Sequence, residues 1–217
     1  MDRNISDCRE IHLATDPPLT GLLGVPDNPL GLVIFAHGSG SGRFSPRNNY
    51  VARRLRDAGF ATLLIDLLDR QEELDRRNVF DIALLASRLV KATDWAAKFP
   101  ETAALKPAYF GASTGAGAAL QAAAGDRRIT AIVSRGGRPD LAGDEALAAV
   151  TAPTLLLVGG LDAPVITLNQ AAAGALTCLH KLVIVPGASH LFEEPGTLEQ
   201  VVDLAADWFR TYAGGRR

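Results

Sequence analysis

Pro107-Ala108-Tyr109-Phe110-Gly111-Ala112-Ser113-Thr114-Gly115-Ala116-Gly117 is the centre of this chain. Its first half is short and apolar, as a buried strand is. Its second half leads into Ala118, Ala119, Leu120 and Ala122, a helix of small residues. Between the two, Gly111-Ala112-Ser113-Thr114-Gly115 leaves room only for a tight turn of the form Gly-x-Ser-x-Gly. The glycines lack Cβ, so the strand and the helix approach closely. A serine at the tip of such a turn is strained, with its hydroxyl pushed outward. The first amides of the helix carry positive dipole toward the same point. A serine nucleophile needs this arrangement, with the N–H of Thr114 as one donor to an oxyanion. In a glycine-rich chain the pattern also arises by chance, so its weight comes from its surroundings.

Those surroundings alternate. Leu32–Ala36, Phe60–Asp66, Ile129–Ser134, Thr154–Val158 and Lys181–Val185 are nearly all apolar, as strands covered on both faces are. Ile11–Thr15 and Thr20–Val25 read as edge strands separated by Pro17-Pro18. Helices are expected over Asn49–Ala58, Val79–Lys98, Val165–Leu176 and Leu198–Tyr212, and Gly214–Arg217 as a frayed tail. Strands alternating with helices indicate βαβ units, hence an α/β fold with a mostly parallel sheet and helices on both faces. In such sheets ligands bind at the carboxyl ends of the strands. His37, Ser113, Arg135, Asp162 and His190 all fall there.

Composition narrows the functional class. The chain has 217 residues, 47% of them hydrophobic, which is enough for one domain, residues 1–217, with a buried core. A net charge of -2 gives no electrostatic case for nucleic acid or for an anionic membrane. Cys8 and Cys178 make no disulfide framework, and Met1–Asp7 has no apolar run of signal length. A cytoplasmic protein is expected, either a monomer or a homodimer, without cofactor or metal.

A serine hydroxyl needs a base within reach, and the base needs a carboxylate to orient it. Of the four histidines, His12 and His180 read as surface or capping residues, and His37 as a residue that orders the glycine-rich loop. His190, in the loop after the last strand, is the base candidate, against a merely solvated loop histidine. Asp162 follows the preceding strand and gives the order Ser113, Asp162, His190, with Asp140 in reserve. Glu193 stands too close to His190 in sequence to orient it easily. His37-Gly38-Ser39-Gly40-Ser41-Gly42 supplies a second oxyanion donor, the N–H of Ser39, with Gly40 its neighbouring alternative. A dinucleotide-binding turn is the rival reading. The spacing is Gly-x-Gly-x-Gly, however, and the next helix is expected only after Phe44-Ser45-Pro46.

As a set, the His-Gly loop, the Gly-Ala-Ser-Thr-Gly elbow, Gly-Gly-Leu-Asp and Gly-Ala-Ser-His resemble the α/β-hydrolase fold, and the small size its dienelactone-hydrolase-like branch. Arg135–Leu141 and Pro186–Phe192 also resemble the hydrolase portion of proteins that join such a domain to a phosphoribosyltransferase. The resemblance spans roughly residues 10 to 212. It implies an eight-stranded sheet and acyl transfer by Ser113, His190 and Asp162 on a small-molecule ester. Dienelactone hydrolases proper carry a cysteine where this chain has Ser113, which favours an ordinary esterase over a lactonase.

Two further expectations concern specificity. Residues 140–152 have room for one small helix and no lid domain, so the site is expected to be open and shallow. Arg135 and Arg138 follow a strand and are candidates to bind an acidic group on the substrate, the alternative being pairing with Asp140 or Asp144. The charged run Asp69–Arg77 reads as a solvated loop and helix start, with substrate gating as the alternative.

Overall fold

A computed structural model describes residues 8–214. The N-terminal stretch Met1–Asp7 and the expected tail beyond Gly214 lie outside the described residues. Eight strands form one sheet: β1 (Arg9–Leu13), β2 (Leu19–Gly24), β3 (Leu32–Ala36), β4 (Ala61–Ile65), β5 (Pro107–Ala112), β6 (Ile132–Arg135), β7 (Thr154–Gly159) and β8 (His180–Val185). Their order is β1-β2-β4-β3-β5-β6-β7-β8. β2 is antiparallel to both its neighbours, and β3 to β8 pair in parallel throughout. This is an α/β fold with a mostly parallel sheet.

Seven α-helices cover the sheet: α1 (Pro46–Asp57), α2 (Arg76–Val79), α3 (Ile82–Ala96), α4 (Thr114–Ala123), α5 (Asp144–Ala149), α6 (Ala163–Ala175) and α7 (Thr197–Tyr212). Each inner strand feeds two cores by simple alternation. Val33 and Phe35 join Phe110, Val51, Leu55 and Phe209 on the α1/α7 face. Leu32 and Ile34 join Tyr109, Leu85, Leu89 and Leu120 on the face of α3, α4 and α6. Burial on both faces is why these strands are continuously apolar. At roughly 1.5–3 kcal/mol for each fully buried large side chain, these two cores are the main stabilising contribution.

Three boundaries differ from the sequence reading. α1 begins at Pro46 rather than Asn49, because the Ser45 side chain accepts from Asn48 N–H and proline fills the first helical position. The single helix expected over Val79–Lys98 breaks at Phe80-Asp81. Asp75 caps α2, and Asp81 caps α3 by accepting from Leu84 N–H at 2.9 Å. Between β6 and β7 there are two short elements rather than one, a 3-10 turn (Pro139–Ala142) and α5, and no lid.

Candidate active site

β3 lies between β4 and β5, so the chain leaves it in opposite directions on its two sides. This is the topological switch point, and the loop after β3 faces the elbow after β5 there. His37 orders that loop as expected. Its Nδ1–H donates to Gly38 O at 3.0 Å, and its Nε2 accepts from Leu67 N–H at 3.1 Å.

Ser113 has φ 51° and ψ -124°, a conformation that costs an L-residue about 1–3 kcal/mol. The elbow holds it there because α4 packs hard against the sheet. A Cβ on Gly111 would lie 2.5 Å from Ala116 Cα, and one on Gly115 would lie 2.1 Å from Ala36 O. Thr114 opens α4, where its N–H has no carbonyl within the helix to bond. The other expected donor has a partner of its own: Ser39 N–H donates to Thr114 Oγ1 at 3.1 Å. An incoming oxyanion must share that N–H or take it from the threonine hydroxyl.

His190 stands in the loop after β8, with Nδ1 2.6 Å from Asp162 Oδ2. That contact leaves Nε2 for proton transfer. Asp162 stands at the N-cap position of α6 just beyond β7 without bonding the helix through its side chain, and its carboxylate is mostly buried. The histidine loop is braced at both ends. Ser189 N–H donates to Glu194 Oε2 at 2.9 Å, and Phe192, at φ 55°, is buried in the α1/α7 core. Ser113 and His190 line one cavity of about 880 Å³. Asp140, the reserve acid, is instead bound by Arg138 at 2.7 and 2.8 Å.

The two arginines separate. Arg138 pairs with Asp140, the expected alternative, and does not line this cavity. Arg135 is the last residue of β6, not a loop residue, and pairs with Ala112 beside the elbow. Its side chain lies over Phe110, 5.9 Å from the ring centroid, and lines the cavity with 8% of its surface exposed. Among the described residues Arg135 Nη1 has no hydrogen-bond partner. Burial, and secondarily the field of Arg47, push its pKa down to about 10.

A folded-state pKa below the unfolded one means the protonated guanidinium destabilises the fold at every pH below about 10, and the cost fades as pH rises through that value. Arg135→Met keeps much of the apolar bulk and removes the charge. It is expected to raise stability at pH 7 by about 2 kcal/mol, read as a higher Tm and urea midpoint, with the gain shrinking above pH 10. A lower Tm at pH 7 would contradict the unpaired charge.

The cavity is broad, and its far wall comes from a segment that the sequence suggests is solvated. Asp69, Arg70, Glu72 and Glu73 line it. Arg88 Nη1 anchors this wall by donating to Leu67 O at 2.8 Å and to Glu72 Oε2 at 2.6 Å. Arg88 thereby holds the Glu72 carboxyl below the usual carboxylate range. Arg43 N–H donates to Asp66 Oδ1 at 2.7 Å, and the Arg43 guanidinium pairs with the same carboxylate. Arg47 and Asn48, also on the wall, escape a reading that starts α1 at Asn49. The Ser45-Pro46 pair was the signal for the earlier start.

The chain is similar to known proteins over most of its length. The profile of the Dienelactone hydrolase family matches residues 19–211. Proteins named "Putative phosphoribosyl transferase" from two strains of Mycobacterium tuberculosis are 57% identical over 222 aligned positions, covering 95% of this chain and 50% of their own length. The chain therefore spans about half the length of these curated relatives. A crystal structure of a dienelactone hydrolase from Anabaena variabilis superposes with a TM-score of 0.91 at 55% identity, covering 95% of this chain and 99% of that one. A cold-adapted esterase from an Arctic intertidal metagenomic library shares the fold, with a TM-score of 0.75 at 20% identity over 93% of each chain.

Proposed function

The chain belongs to the dienelactone hydrolase family, and from that premise we propose that it is a serine hydrolase that cleaves small carboxylic esters through Ser113, His190 and Asp162. The observation that carries the reading is the Asp162–His190 contact of 2.6 Å on the wall of the cavity that holds the strained Ser113. Asp162 accepts the Nδ1 proton and so leaves Nε2 unprotonated. Nε2 takes the Ser113 hydroxyl proton as Oγ attacks the ester carbonyl. The N–H groups of Thr114 and Ser39 receive the oxyanion. When the tetrahedral intermediate collapses, Nε2 returns the proton to the leaving alcohol. Water, deprotonated by the same nitrogen, then attacks the acyl-enzyme, and as that intermediate collapses Nε2 returns the proton to Ser113 Oγ and the acid leaves.

The name of the curated relatives belongs to proteins about twice as long, and the groups that this chain places around Ser113 suit acyl transfer to water. Short acyl chains suit the cavity because of its charge. A long alkyl chain would have to desolvate Asp66, Asp69, Arg70 and Glu73 without replacing their water. With p-nitrophenyl esters, kcat/KM is expected to fall roughly tenfold or more from butyrate to palmitate. Undiminished rates with palmitate would contradict it. Labelling by a serine-directed fluorophosphonate tests the chemistry independently: an unlabelled protein would mean binding without turnover.

A further inference from the structure

Arg135 is a buried cation beside the reacting groups that the ester-cleaving cycle does not use. Arg43 and Arg88, on the same cavity wall, are each neutralised, by Asp66 and Glu72. Arg135 is not: among the described residues its Nη1 is buried without a partner, and the charge that acts on it is another cation, Arg47. Keeping a guanidinium out of water without a counter-charge is unfavourable, and Phe110 offsets that only in part. A bound anion would supply the missing counter-charge.

A second buried group with an unmet hydrogen bond, an acceptor, lines the same cavity and suits a donor on the substrate beside the anion. Asn48, 3% exposed and also on the cavity wall, has an Oδ1 without a partner. It lies in the first turn of α1, a helix of 12 residues with no acidic side chain in that turn. The helix dipole there meets no negative side chain within that turn, only the neutral Ser45 cap. Arg47, one residue earlier, adds a cation whose one ion-pair partner among the described residues is the largely exposed Glu193, at 2.9 Å.

We propose that Arg135, with Asn48 and Arg47 at the N-terminus of α1, forms a subsite for an anionic group, a carboxylate or a phosphate, carried by the substrate next to the bond that is cleaved. The proposal rests on the hydrolase reading for the word substrate, and on the unpaired Arg135 alone for the anion. Oxygens of the anion accept from Arg135 Nη1, and the Asn48 side-chain amide hydrogen-bonds a neighbouring polar group. The subsite adjoins the elbow, since Ser113 N–H donates to Arg135 O at 3.3 Å. An anion held there fixes the ester relative to Ser113, so charge recognition becomes orientation of the reacting carbonyl.

Two measurements test it. The first uses protein and probe alone: inorganic phosphate and adipate are titrated calorimetrically into the wild type and into Arg135→Met. At least one anion is expected to bind the wild type, and to bind Arg135→Met at least tenfold more weakly. The tighter of the two identifies the phosphate or the carboxylate as the group recognised. Absence of binding by either anion, or equal binding to the variant, would overturn the subsite. The second compares mono-p-nitrophenyl adipate with p-nitrophenyl hexanoate. The ratio of their kcat/KM values is expected to favour the charged ester about tenfold or more, and to collapse at least tenfold in Arg135→Met. A ratio that Arg135→Met leaves unchanged would overturn the subsite while leaving the hydrolase reading in place. Arg135-dependent anion binding without hydrolysis of either ester would do the reverse. Should Arg135→Met not fold, Arg47→Gln, at a half-exposed position, is expected to weaken anion binding about threefold. Unweakened binding in that variant would count against the subsite.

Discussion

Ser113→Ala is expected to lower kcat for p-nitrophenyl acetate by roughly 10⁴- to 10⁶-fold while the protein remains folded. The size follows from the cycle. Without Oγ there is no acyl-enzyme, and His190 and the oxyanion donors are left with an unassisted water. The fold survives because Ser113 contributes little to the cores, and its hydroxyl makes no hydrogen bond that the elbow depends on. The strain offers a further control. At φ 51° and ψ -124° alanine is as uncomfortable as serine, whereas glycine is not. Ser113→Gly is thus expected to be as inactive as Ser113→Ala and about 1 kcal/mol more stable, measured by urea unfolding beside the kinetics. Activity of Ser113→Ala within tenfold of wild type would place the nucleophile elsewhere.

Gly115→Ala is expected to destabilise the protein by more than about 4 kcal/mol, enough to leave little folded protein at 37 °C. The added methyl would lie 2.1 Å from Ala36 O and 2.5 Å from His37 O. Both are backbone atoms, so no side-chain rotation relieves the clash. α4 would have to move off β3, and most of its ten residues are buried. The same substitution at Gly174, on α6, meets nothing within 4 Å and is expected to stabilise by up to about 1 kcal/mol. The contrast separates steric contact from helix propensity, and thermal unfolding of the two variants reads it. A Gly115→Ala protein with the wild-type Tm would mean that α4 sits further from the sheet than described here.

Much of this was legible in the residues because it depends on local chemistry. The two-sided burial of the inner strands shows as unbroken apolar runs, and Gly111, Ser113 and Gly115 mark the elbow by spacing alone. Asp162 and His190 each follow a strand, and chain order was enough to pair them. Helix boundaries were less legible where side chains decide them. Asp81 breaks the long helix by capping α3, and Ser45 starts α1 before its apolar periodicity does.

What the sequence determined by itself was the layering of the fold and the identity of the candidate nucleophile, base and acid. Periodicity, glycine spacing and order along the chain encode these directly. Only the tertiary structure decided the environment of each charge. Arg135 and Arg138 look alike in sequence, three residues apart, yet one is an ion pair with Asp140 and the other a buried guanidinium facing the cavity. The difference arises because β6 extends through Arg135 and directs its side chain onto Phe110, while Arg138 lies beyond the strand within reach of its own neighbour's carboxylate. Burial and pairing are sums over residues distant in sequence, so no local pattern carries them.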